Sequence, residues 1–301
     1  MNKGERARVR VIWAGILVVM VSLATAQAAS AGEVYGNVVE GRPSRDGAVD
    51  WTAERVTAIG VGFPPQGVTD PARARVMADR AAYLIAVRNL LEVVKGIRID
   101  ATTVVKNYMV ETDLIQAQVS GFVKGAQIIR RKEQPDGAVE IEVAVPLTGI
   151  EGLQEFFKGR AKIGAANLEE ARDPEGHTSL IIDARGTGVK PALFPTITDE
   201  QGAVLYSPEM VDPAAVVQHG MVRYATVQEK TPSADGATQT LSATTGRKPL
   251  RIKGLSKGGA TVTISLDDAK KVMRSPGKTA DFLKQARVII LLDAQTAGIQ
   301  Q

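Results

Sequence analysis

The chain has 301 residues, with 37 basic against 33 acidic side chains, 4% aromatic residues and no cysteine. Without cysteine there is no disulfide framework, so the fold must rest on hydrophobic burial, and a chain of this length can form two ordinary domains that way. Aromatic residues this sparse offer few base-stacking platforms, which argues against nucleic acid as a partner.

The net charge of +4 is unevenly placed. Lys3, Arg6, Arg8 and Arg10 precede an apolar run from Val11 to Ala26, and Ala29-Ser30-Ala31 follows it. A charged head, an apolar core and an A-x-A exit predict a signal peptide over 1–31, with Ala29 and Ala31 marking the cleavage site. The competing reading is an uncleaved membrane anchor, for which the apolar core is short of the roughly twenty residues a spanning helix needs. Removing 1–31 takes away four basic residues and one acidic residue, leaving 33 against 32. Little long-range attraction for a polyanion then remains. No later stretch is apolar enough to cross a bilayer, so the mature chain is expected to have no transmembrane span. It is expected in the periplasm or secreted, or peripheral to the outer membrane.

Residues 32–54 are polar and weakly patterned and read as an irregular leader, with Trp51 docking onto the first domain. In VTAIGVGF the period of two predicts a strand with close backbone approach on its Gly60 and Gly62 face. Asp70-Pro71 then opens a helix running to about Lys95 and stopping at Gly96. Its expected buried stripe is Met77, Ala81, Leu84, Val87, Leu91 and Val94. Ile97–Lys106 is rich in Ile, Thr and Val and reads as a strand, with a short helical turn over Glu111–Gln118. Strands over Val123–Glu133 and Ala138–Leu147 flank the turn Gln134-Pro135-Asp136-Gly137. Arg130, Arg131 and Lys132 are expected to pair across the sheet with Glu140 and Glu142.

Leu153, Phe156, Phe157 and Ile163 predict a short amphipathic helix before a polar loop. Further strands are expected over Ser179–Ala184, Val204–Tyr206, Met221–Val227, Thr261–Ser265 and Val288–Leu292. A long Thr/Ser/Gly-rich loop covers 228–248. Ser265 caps a helix over Leu266–Met273, and a second helix is expected near Thr279–Gln285. The whole is α+β. A long helix on a small, mostly antiparallel sheet occupies 55–150, a connector 151–177, and a second mixed α/β domain 178–301.

The sharpest local motif is Ile181-Ile182-Asp183-Ala184-Arg185-Gly186-Thr187-Gly188-Val189-Lys190-Pro191. An acid and glycines after a strand superficially suggest a zinc amidase, but Arg185 stands where a zinc-binding histidine is needed. The glycine spacing fits neither a phosphate loop nor a dinucleotide fingerprint. A tight strand exit is expected, with Asp183 and Arg185 pairing or bonding to loop backbone, and the turn formed by Asp183, Arg185 and Lys190 is the candidate partner-binding site. His177 and His219 lack metal-ligand spacing, no serine has a G-x-S-x-G surround, and the acidic pairs Glu169-Glu170 and Asp267-Asp268 diverge on a helix. No catalytic, cofactor or metal-binding residue is assigned.

The order of the A-I-G-V-G strand, the helix R-A-A-Y-L-I-A-V-R-N-L-L-E-V-V-K-G-I, then V-S-G-F-V-K-G-A-Q-I-I and V-E-I-E-V-A-V-P-L-T-G is recognisable. Residues 56–149 resemble the Lpp-twenty lipoprotein family and the N-terminal domains of the flagellar proteins FlgT and FlgP. The resemblance covers about a third of the chain. It implies a non-enzymatic cell-envelope protein at the outer membrane, at the cell surface or in rings around the flagellar motor. The lipoprotein branch carries an acylated cysteine that this chain lacks, which places it nearer the soluble FlgT branch. The expected role is a periplasmic scaffold or assembly factor, with envelope or flagellar proteins as partners and a homo-oligomer as an alternative. The competing readings are a ligand- or glycan-binding module and, behind it, a peptidoglycan-acting enzyme.

Overall fold

Two glycines set the packing of the first sheet. On strand β4 (Arg55–Gly62), Gly60 and Gly62 lie so close to the long helix α1 (Pro71–Lys95) that a Cβ at either would collide with the backbone of Ala82 or Ala78. The helix meets this surface with alanine: Ala74, Ala78, Ala82 and Ala86 are buried, followed by Leu90 and Val94. The buried face is therefore not the expected stripe. Met77 and Leu84 are exposed, and only Val94 of the predicted set is fully buried. A close helix–sheet contact excludes long side chains, so the bulkier residues of α1 turn outward. The predicted ends hold. Asp70 Oδ1 accepts from Ala72 N at 3.0 Å, and Gly96 closes the helix.

The computed structural model describes residues 34–42, 46–111, 113–163, 176–228, 246, 248–256, 258–274 and 282–294. The predicted signal peptide with Ala29 and Ala31, and most of the 165–176 and 228–248 loops, lie outside these residues. So does the beginning of the helix expected near Thr279.

The first sheet is antiparallel throughout, in the order β2-β3-β4-β6-β5. Its strands besides β4 are β2 (Val39–Arg42), β3 (Gly47–Asp50), β5 (Gln127–Glu133) and β6 (Val139–Pro146). Val139, Ile141, Val143 and Val145 of β6 are buried, and Glu140 and Glu142 take the other face. There Arg130 donates to both acids, at 2.8 and 2.9 Å, as expected. Arg131 instead crosses to α1 and donates to Asp79 at 2.5 Å.

Two expectations in this half fail. Ile97–Lys106 is not a strand, because Asp100 Oδ1 accepts from the N–H groups of Thr102 and Thr103 and folds the segment back. Arg98 and Val104 form an isolated bridge, and helix α2 (Val105–Glu111) starts directly after it. Helix α3 (Asp113–Lys124) then absorbs the first residues of the strand expected from Val123.

The irregular leader is also corrected. It supplies β2 and β3 to the first sheet, and its first strand, β1 (Val34–Gly36), joins the other sheet. That second sheet runs β1-β10-β13-β7-β11, comprising β7 (Ser179–Asp183), β10 (Arg223–Gln228), β11 (Pro249–Lys253) and β13 (Val288–Leu291). The last four are mutually parallel, and β1 pairs antiparallel with β10. Val288 to Leu291 are all buried, as a strand covered on both faces requires. A three-stranded sheet, β12 (Thr261–Ile264), β8 (Thr196–Asp199) and β9 (Val204–Tyr206), stands beside it.

Short helices complete this half. The 3-10 turn Leu153–Phe157 runs into α4 (Lys158–Ala161), and α5 (Pro213–His219) starts at an Asp212 cap. In α6 (Leu266–Arg274), Ser265 Oγ accepts from Asp268 N at 3.1 Å as predicted. Residues 282–286 are turns, not the end of a helix. One buried cluster runs from Val38 and Trp51 through Leu90 and Phe157 to Ile182 and Leu292, so the two sheets share a core. The architecture is α+β, with a mixed second half.

Candidate functional site

The predicted turn sits where β7 leaves its sheet. Asp183, the last residue of β7, accepts from Arg185 Nε at 2.8 Å and Nη2 at 2.5 Å, and also from the Arg185 amide. These hydrogen bonds, led by the one from the guanidinium, hold the Asp183 carboxyl below its ordinary range. Gly186, with φ of +75°, gives its amide to both Asp293 oxygens just beyond β13. Lys190 is exposed, and its amide donates to Gly259 O at 2.7 Å. Asp183 and Arg185 are thus brought together, but chiefly to each other and to loop backbone.

A second polar cluster, not anticipated from sequence, ties the two sheets. Glu54, at φ of +53°, pairs with Arg223 at 2.5 Å and accepts from Thr148 Oγ1 at 2.6 Å. Burial pushes the Glu54 carboxyl up, and the Arg223 charge only partly offsets that. His219, at the end of α5, has its pKa lowered, first by partial burial and then by the Arg223 and Arg287 charges.

Beside this cluster Glu40 accepts from Trp51 Nε1 at 2.9 Å and from Arg98 Nη2 at 2.5 Å, while Arg98 Nε donates to Pro191 O at 2.7 Å. Thr52 Oγ1 donates to Tyr224 O, and the Trp51 and Tyr224 rings meet edge to face at 5.7 Å. These bonds build a seam.

Residues 179–294 match the family described as Treponema pallidum Tp0624, second domain. The segment similar to the Tp0624 second domain begins at the first residue of β7 and ends three residues beyond β13, so it holds the parallel strands and the Asp183–Lys190 turn. It leaves out β1, the antiparallel strand at the edge of that sheet. No curated protein matches the chain.

The remaining feature is apolar. Among the described residues thirteen large hydrophobic side chains are exposed, and nine of them fall between Phe63 and Ile129. Val76, Met77 and Leu84 lie on the outer side of α1, away from its alanine face. Val110 and Leu114 are exposed on α2 and α3, and Ile128 and Ile129 on β5. Strand β5 is exposed along its whole length and is an edge of its sheet. No helix among the described residues is long and apolar enough to cross a membrane.

Proposed function

We propose that this chain is an exported, non-enzymatic protein of the cell envelope, a periplasmic scaffold or assembly factor for a flagellar or outer-membrane structure. The observation that carries the reading is the concentration of exposed apolar side chains on α1, α2, α3 and β5. An apolar surface of this kind outside a well-filled core is a feature of protein-binding faces. An edge strand with free backbone groups adds a second means of attachment. The envelope placement draws on the signal-like order of residues 1–31 and on the resemblance of 56–149 to the Lpp-twenty and FlgT-type domains.

The ligand-binding alternative at Asp183, Arg185 and Lys190 gains no support from the geometry, since the first two are bonded to each other. Expression of the full chain in a bacterial host, followed by fractionation and mass analysis, tests the placement. A periplasmic product beginning at Gly32 is expected. A full-length product retained in the cytoplasm would contradict it. Light scattering on the purified product tests the scaffold: a defined oligomer or a stable complex with an envelope protein is expected, and a strict monomer without a partner would count against it.

A further inference from the structure

A cleft of about 350 Å³ opens between the 3-10 turn with α4 on one side and α5 on the other. Its apolar wall is formed by Ile163, Pro213, Val216 and Val217, of which Val216 is buried. Lys158 and Lys162 line the same cleft from α4 and the residue that follows it. Lys158 is neutralised by Glu155, three residues earlier. Lys162 is exposed and makes no hydrogen bond or ion pair among the described residues.

The backbone at Lys162 is left-handed, with φ of 50° and ψ of 47°, directly after α4. Glycine is the usual occupant of that position, because a Cβ there is strained. Keeping a lysine where glycine is easier retains a charged side chain at the cleft at the expense of backbone comfort, and such outliers cluster at ligand sites. Gly149 and Gly159 line the same cleft, and a Cβ at either would meet nothing within 4 Å.

An apolar wall beside one cation that has no acidic partner among the described residues has the chemistry of a site for a chain with one anionic end. At roughly 30 Å³ per heavy-atom-sized volume, the cleft holds about a dozen such atoms. We propose that this cleft binds a medium-chain anionic amphiphile, with its carboxylate at Lys162 and its alkyl chain along Ile163, Pro213 and Val216.

The test uses octanoate, octan-1-ol and acetate against the full chain, by calorimetric titration and thermal shift. Octanoate is expected to bind saturably, with a Kd of about 1 mM or tighter, at least tenfold more tightly than octan-1-ol, and acetate is expected not to bind. Lys162→Gly should melt at or above the wild-type temperature, because it relieves the left-handed backbone, yet lose at least tenfold in octanoate affinity and keep that for octan-1-ol. Gly159→Leu should fill the cleft and weaken both. Absence of saturable octanoate binding overturns the proposal, as does equal binding of octanoate and octan-1-ol. Unchanged octanoate affinity in either variant overturns it as well.

Discussion

Arg223 on β10 holds the Glu54 carboxylate at 2.5 Å, and the pair joins the sheet that β10 belongs to with the strand β4 that Glu54 precedes. Arg223 Nε is buried without a hydrogen-bond partner among the described residues, so the carboxylate carries much of its compensation. Burial raises the Glu54 pKa above its ordinary 4.5. With a raised folded pKa, the stability from this group is complete below the unfolded value and is lost as pH rises through the folded one.

Removing the arginine makes that pH dependence stronger. Arg223→Met leaves Glu54 buried without its cation, which should cost about 3–5 kcal/mol near pH 7.5. The cost should shrink toward pH 5, where Glu54 is easier to protonate. The double variant Glu54→Met/Arg223→Met should recover most of the loss, since a buried pair replaced by apolar residues is often neutral. Urea titrations at the two pH values check both statements.

The contact between α1 and β4 makes an opposite prediction for small and large residues. Gly60→Ala adds one methyl group against the Ala82 and Ala86 backbone and should cost about 3 kcal/mol. Leu84→Ala removes far more apolar surface but from the exposed side, and should change stability by no more than about 0.5 kcal/mol. Denaturant midpoints of the two variants decide this. Equal losses would mean that the helix is seated by its bulky face after all.

The seam should make unfolding cooperative across both sheets. Strand β1 comes from the N-terminal segment but pairs with β10, and in the same segment Trp51 packs edge to face on Tyr224, Thr52 donates to Tyr224 O and Glu54 pairs with Arg223. A fragment over 178–301 lacks all of these partners. It should be poorly folded by circular dichroism and rapidly digested, while the chain from Gly32 should unfold in a single transition. A stable, protease-resistant fragment would show that the seam is dispensable.

Local signals are legible in this sequence and distant ones are not. Asp70, Gly96, Ser265 and the Pro135–Gly137 turn act on backbone groups a few residues away, so their roles follow from spacing. Asp212-Pro213 carries the same signature as Asp70-Pro71 and opens α5, a helix absent from the expected elements. Hydrophobicity favours Met77 and Leu84 as the buried face of α1, whereas the glycines of β4 decide which side chains fit. In Ile97–Lys106 the β-branched residues suggest a strand, but one carboxylate, Asp100, turns the chain. The leader reads as irregular because the partner that makes β1 a strand lies on β10. Glu54 and Arg223 are hidden for the same reason. Asp183 and Arg185 are legible because they are two residues apart.

The scaffold reading turns on the outer side of α1 as a protein-binding face. Val76→Asp/Leu84→Asp places two charges there without touching the buried alanines, so the melting temperature should stay close to wild type. The decisive measurement is chemical cross-linking in intact cells that express the full chain, comparing wild type with this double variant. Defined cross-linked species are expected in the wild type, either a homo-oligomer or one recurrent envelope protein, and they should disappear in the variant while its folding and export persist. Identical cross-linking in both, or none in the wild type, would contradict a binding face on α1.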